Sequence, residues 1–199
     1  MTDKIFPLYS ITGASIKSTF NTRICRSQSG YRQATSFGGA YWQISIELLR
    51  KSRQEHDEIF AFLNARRGRY ESFKIIIPYY SSTKTNYKGE IKVDLDNQSG
   101  RIISVYGMEA NKKILATGDF IRFSGHKKVY QIEEDLYSDS NGCGYLTIIP
   151  NLIQIPIKDE TIIYNDVDFT VANTKDEISL NLDLHKKASW ALEFEEVFN

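Results

Sequence analysis

Cysteine and histidine are scarce. The chain has two cysteines, Cys25 and Cys143, with no Cys-x-x-Cys spacing, which excludes a disulfide framework or a zinc ribbon and reads as free thiols in a reducing compartment. The histidines, His56, His126 and His185, stand isolated beside charged residues, so no metal and no cofactor are expected. Long apolar runs are missing too: nothing approaches the roughly 18 residues of a membrane span, and Met1-Thr2-Asp3-Lys4-Ile5-Phe6-Pro7 lacks the apolar core of a signal peptide. The expectation is a soluble protein made in a cytoplasm, with no membrane partner. The formal net charge is zero, which removes any overall electrostatic drive toward nucleic acid. No Gly-x-Ser-x-Gly elbow, phosphate loop or dinucleotide fingerprint is present. The carboxylate groupings Glu133-Glu134-Asp135, Asp159-Glu160, Asp166/Asp168 and Glu195-Glu196 read as solvated faces rather than acid–base pairs. The expectation is therefore a protein that is not an enzyme.

What is present is a folding composition, 41% hydrophobic and 13% aromatic, which argues against disorder. Its 199 residues suffice for one large or two small domains. Charge is unevenly placed: residues 1–83 hold 12 Lys and Arg against 6 Asp and Glu, 84–176 hold 11 against 14, and 177–199 hold 2 against 5. A basic opening and an acidic close attract each other within one domain, or complement a neighbouring copy.

Residues 10–40 are rich in Ser, Thr and Gly with scattered Arg23, Arg26 and Arg32, and read as an extended arm or a long loop with edge strands. In Tyr41–Leu48, Trp42, Ile44, Ile46 and Leu48 alternate with polar residues, a half-buried strand. Ser52-Arg53-Gln54-Glu55 is a capping box, and Ile59, Phe60, Phe62 and Leu63 make the apolar stripe of the helix that follows, stopped by Gly68. Tyr70–Ile77 is a second strand with Phe73, Ile75 and Ile77 on one face.

Ser81–Asn86 has linker composition, and beyond it come five or six short strands with turn signals: Glu90–Leu95, Asn97-Gln98-Ser99-Gly100, Ile102–Tyr106, Gly118–Phe123, Ser124-Gly125, Val129–Ile132, Ser138–Gly144, Tyr145–Ile149 and Ile162–Val171. That spacing predicts a small barrel of OB type or a compact sandwich. After a second crossing at Asn173–Asp176, Ile178, Leu180, Leu182 and Leu184 alternate, then Trp190, Leu192 and Phe194 do so beyond a turn at His185-Lys186-Lys187. A hairpin alone is too small to be stable in water, so these strands must join the sheet begun at Trp42. The predicted fold is mainly β (α+β): a discontinuous β-sandwich-like domain with one α-helix, formed by 1–83 and 177–199, carrying an inserted OB-like β-barrel over 84–176.

Gly125-His126-Lys127-Lys128 reads as a polar hairpin tip, with a phosphate or sugar-acid site as the other reading. Tyr130, Tyr137 and Tyr145 are candidates for stacking on a glycan, or else amphipathic cover for the barrel. Tyr41, Tyr79 and Tyr80 suit a contact between subunits.

In this order of elements the chain resembles the distal tail (Dit) proteins of long-tailed bacteriophages, in the short form of T5-like siphophages. The resemblance runs through Tyr41-Trp42-Gln43-Ile44-Ser45-Ile46, Asp57-Glu58-Ile59-Phe60-Ala61-Phe62-Leu63, Ile77-Pro78-Tyr79-Tyr80, Gly118-Asp119-Phe120-Ile121-Arg122-Phe123, Lys128-Val129-Tyr130-Gln131-Ile132, Pro150-Asn151-Leu152 and Ile178-Ser179-Leu180-Asn181-Leu182. It implies a virion protein at the tail tip: a homohexameric ring joining a tail tube protein to a tail-tip hub protein, with DNA only as cargo through the lumen and an OB-like domain outside. In such a ring Arg23, Arg26 and Arg32 would meet carboxylates of the close, Glu193, Glu195 or Glu196, within or between subunits, with Tyr41 also at the subunit interface. The alternative is a host-surface carbohydrate-binding module using Tyr130, Tyr137 and Tyr145.

Overall fold

The computed structural model describes residues 4–7, 11–51, 53–179 and 188–198. The opening comprises β1 (Ile11–Thr19), β2 (Thr22–Arg26), β3 (Arg32–Ser36), β4 (Tyr41–Lys51), α1 (Arg53–Asn64) and β5 (Phe73–Ile76). The middle comprises β6 (Lys92–Val93), β7 (Ile102–Tyr106), β8 (Lys113–Leu115), β9 (Phe120–Phe123), β10 (Val129–Ile132), β11 (Leu136–Tyr137), β12 (Gly144–Ile149) and β13 (Ile162–Ile163). The close comprises β14 (Asp168–Asn173) and β15 (Ala188–Glu196). Among the described residues the protein is mainly β with one helix, as its alternating apolar pattern predicts.

The first sheet is antiparallel in the order β1-β4-β15-β14-β5. The closing strand does complete the sheet begun at Trp42: Leu192 stands opposite Ile46 and Phe194 opposite Ile44. Trp42, Ile44, Ile46 and Leu48 are buried on the face where α1 lays Ile59 and Leu63, and Phe73, Ile75 and Ile77 fill the rest. His56 fixes the helix to the sheet: it is buried, and its Nδ1 accepts the Trp190 indole N–H at 2.8 Å. The Ser52 cap, His185, and the predicted strand from Leu180 to Leu184 with its Lys186-Lys187 turn lie outside the described residues.

The second sheet runs β13-β9-β10-β12-β7-β6. A bridge between Lys92 and Thr161, with Val93 N–H to Glu160 O at 3.0 Å, brings its two ends together into a barrel-like closure. It has six strands against the five of an OB barrel. Ile103, Val105, Ile121, Phe123, Tyr130 and Leu146 belong to its core.

Two boundaries differ from expectation. The run Ile162–Val171 is two strands, because Asp166 takes a left-handed φ of 51° and turns the chain out of the barrel; β14 then pairs with β5 and β15 in the first sheet. The return crossing is thus at 164–167, not at 173–176. The Ser81–Asn86 stretch is packed rather than linker-like: Ser81 and Thr83 are buried, Ser81 O accepts the Val167 N–H, and Thr83 Oγ1 donates to Asp119.

All four residues of β9 are buried, since side chains alternate across a strand and both faces of this one are covered. Ile121 and Phe123 point into the barrel, while Phe120, with Val129 of β10, enters the core of the first sheet. Polar groups fasten the same junction. Lys128 is fully buried against Glu196, whose carboxylate also accepts the backbone N–H of Val129 at 2.8 Å and of Trp42 at 3.1 Å. The Trp42 indole N–H donates to Val129 O at 2.8 Å. Beside it, Arg122 of the barrel donates to Asp168 of the first sheet, 3.1 Å from Nε, and Lys74 Nζ stands 3.0 Å from the other oxygen.

Burial pushes the Lys128 amine down and the Glu196 carboxyl up from their ordinary values, each opposed by the charge of the other. Such a pair costs more to break than it contributes as a whole. Lys128→Met alone is expected to lose about 3–5 kcal/mol in urea unfolding, and Lys128→Met with Glu196→Gln to regain most of it. Burial also opposes ionisation of Asp168, but Arg122 and Lys74 hold its carboxyl below the usual range. Its contribution to stability is therefore present above the unfolded value of about 3.9 and is lost as the pH falls through the folded value. Asp168→Asn should lower stability at neutral pH and flatten the decline between about pH 4 and pH 2, measured as urea midpoints across that range.

Candidate interaction surface

Among the described residues β2 and β3 pair only with each other, in the register Thr22↔Ser36 to Arg26↔Arg32. Every residue from 20 to 39 is exposed, so this hairpin adds nothing to either core. The Ser27–Tyr31 turn is built by Ser27 N–H to Tyr31 O, Gly30 N–H to Ser27 O, and Tyr31 N–H to the Ser27 hydroxyl, with Gly30 at φ +85°. Phe37 N–H to Asn21 O closes the base. Gly38 and Gly39, both left-handed, lead into β4. The predicted arm is thus a regular β-hairpin. Its Ser-Gln-Ser-Gly turn is the signal that sequence reasoning passed over.

Two features make the arm a candidate contact surface. Phe20, Ile24, Tyr31 and Phe37 expose large apolar side chains along it. Arg26 and Arg32 stand directly opposite each other, a like-charge pairing that is unfavourable across strands. Among the described residues, Arg23, Arg26 and Arg32 make no ion pair.

The expected acidic partners do not meet them within the chain. Glu193 is exposed on β15 and lies 3.8 Å from Lys175; Glu195, half-buried, stands opposite Gln43. Glu196 is withdrawn from the surface by Lys128, which removes it from any contact between copies. Tyr41 is half-buried at the start of β4, opposite Thr19. Tyr79 is 99% exposed with φ +70°, a conformation that favours glycine, and among the described residues it is the most exposed aromatic. Tyr80 is partly held by an edge contact with Phe120. The outer edge of β1 has no strand partner among the described residues.

The candidate glycan tyrosines separate. Tyr130 is fully buried in the barrel, its hydroxyl accepting the Ile153 N–H at 3.1 Å, so it cannot stack on a ligand; its place on a strand with both faces covered is the reason. Tyr137 and Tyr145 are exposed. The Gly125–Lys128 turn is not a solvated tip: His126 and Lys128 are buried because the turn faces the first sheet.

Several carboxylates read as solvated are engaged in binding other parts of the chain. Glu133 grips Arg101 Nη1 with both oxygens at 3.1 Å, Glu160 accepts the Gly125 N–H, and Lys113 with the Thr117 N–H holds the Asp135 carboxyl down to about 2. No group of three or more His, Cys, Asp or Glu is placed to hold a metal among the described residues, and no helix there is long and apolar enough to cross a membrane. No protein-family model matches the chain, and no curated protein matches it.

Because the arm touches neither core, removing residues 21–37 and joining Phe20 to Gly38 is expected to change unfolding stability by no more than about 0.5 kcal/mol. Urea denaturation of the two proteins measures this directly.

Proposed function

We propose that the protein is a structural subunit of a phage tail tip, a ring-forming distal tail protein that joins the tail tube to the tip complex. The observation that carries this reading is the arm: twenty consecutive exposed residues, partly apolar and bearing three arginines without an ion pair in the described protein. A two-stranded hairpin is marginal in water on its own; a neighbouring subunit supplies the surface that it lacks. The outer edge of β1, without a strand partner among the described residues, offers a second place for sheet contacts.

In a cyclic head-to-tail assembly, different patches of each copy meet, so a basic arm is complemented by an acidic face without self-repulsion. Exposed Glu193 and half-buried Glu195 on β15 are that face. Six-fold symmetry, the tube and hub partners, and passage of DNA through the lumen come from the resemblance to distal tail proteins. The role asks for no catalysis.

Cys25 on the arm is a built-in reporter, since its side chain is exposed. Maleimide is expected to label Cys25 in the free protein and to be excluded in assembled particles. Negative stain of particles carrying a tag in the Asn97–Gly100 turn should place a collar at the tail terminus. Equal labelling in both states, or a tag found away from the tail end, overturns the proposal. Saturable binding of the full chain to a glycan array, lost on Tyr137→Ala with Tyr145→Ala, would favour a carbohydrate-binding role instead.

A further inference from the structure

The turn after β5 carries a side chain that its own fold does not explain. Pro78 and Tyr79 are the central pair of this turn, which is closed by Tyr80 N–H to Ile77 O at 3.2 Å, with Tyr79 at φ +70°. A positive φ at that position is what a type II turn requires and what glycine or asparagine supplies. Of the seven non-glycine residues with positive φ among those described, five are Asn or Asp, which tolerate it, and Tyr79 is the one aromatic. Its ring is 99% exposed, so the strain is not offset by burial within the chain. Strain of this kind persists where a residue is needed for something other than folding.

Between the base of the arm and the barrel the chain forms a pocket of about 550 Å³, of which Tyr79 is no part. Phe20 comes to it from the arm base, and Ile149, Pro150, Leu152 and Ile153 from the end of β12 and the loop beyond. Phe20 is 51% and Ile153 39% exposed, so apolar surface is open there. The charged residues of the wall answer each other: both oxygens of Glu133 lie 3.1 Å from Arg101 Nη1, and the pocket presents no uncompensated charge. Ser36 and Asn151 add polar atoms. A volume in the range of roughly 300–1,000 Å³ encloses a small ligand and is ample for one phenol ring.

We propose that the Tyr79 ring of one copy seats in this pocket of a second copy. The two surfaces match in charge. No charged residue stands from Ile75 to Thr83, so the turn enters a compensated, apolar pocket without stranding a charge. Tyr31 at the arm tip is exposed too, but it follows a strand end where Arg26 faces Arg32, a pair that such a pocket leaves unanswered. Tyrosine brings a rigid apolar ring and a hydroxyl that needs a partner, a combination enriched at the centres of protein contacts, and Ser36 and Asn151 offer that partner.

Tyr79 does not occupy the pocket of its own chain, since almost all of its surface is open. Ring and pocket are different patches present on every copy, so the contact between them is head-to-tail, the kind that closes into a ring or runs on as a filament. The inference rests on reading the protein as a self-assembling subunit and adds a second contact to that of the arm.

Sedimentation velocity of the full chain at concentrations up to about 1 mM tests this with two complementary variants. Tyr79→Gly removes the ring, and Ile153→Arg puts an uncompensated charge into the pocket. The unaltered chain is expected to associate as its concentration rises, each variant alone to associate about thirtyfold more weakly, and an equal mixture of the two to recover the dimer, because one keeps the ring and the other the pocket. In urea, Tyr79→Gly should raise the folded-to-unfolded ratio about threefold, since glycine takes the turn without strain, whereas Tyr79→Ala, which keeps the strain, should weaken association without that gain. A Tyr79→Gly chain that unfolds more easily shows that the ring serves its own fold, and overturns the proposal. So does an unaltered chain that stays monomeric at about 1 mM. Variants that associate as well as the unaltered chain overturn this contact and leave the tail-tip reading standing on its particles; recovery of the dimer with no collar at the tail terminus supports the contact and removes that reading.

Discussion

The buried contact of Lys128 with Glu196 sets the geometry of the whole molecule. It brings a barrel side chain and a closing-strand side chain, far apart in sequence, into one solvent-free spot, and it does so with charges that burial disfavours. A pair of this kind adds little net stability, but an arrangement that separates its two members leaves a charge unpaired in an apolar setting. The backbone N–H groups of Trp42 and Val129, which share the same carboxylate, extend the constraint to β4 and β10. The turn from Gly125 to Lys128, which ends on this pair, inherits the alignment.

Much of the frame was legible. Trp42, Ile44, Ile46 and Leu48 alternate as a half-buried strand should, the apolar residues of α1 recur at helical spacing, and Trp190 to Phe194 alternate in need of a sheet. Periodicity reports which face is buried, and it does so well where one face is wet. It fails for β9 and β10, where both faces are covered, and so the inward turn of Tyr130 and the role of Val129 could not be read. Lys128 and Glu196 were hidden for a related reason: polar residues are usually outside, and only the fold brings their opposite charges together.

The boundary near Asp166 was open to reading, since Asn165-Asp166 is a turn signal within an otherwise apolar run. The packing of Ser81 and Thr83 was not, because small hydroxyl residues look the same in a linker and in a hydrogen-bonded crossing. The arm reads as extended for want of apolar residues, while its pairing depends on backbone hydrogen bonds that leave no periodic trace in side chains.

The arm meets the rest of the chain at two narrow points, Phe20-Asn21 on one side and Gly38-Gly39 on the other, the second in a backbone conformation that glycine adopts without strain. Nothing between those points is recruited to either core. Beyond the Ser27 and Gly30 turn, folding therefore exerts little selection on the side chains that lie there, and the arm can change in sequence while the scaffold that carries it stays fixed.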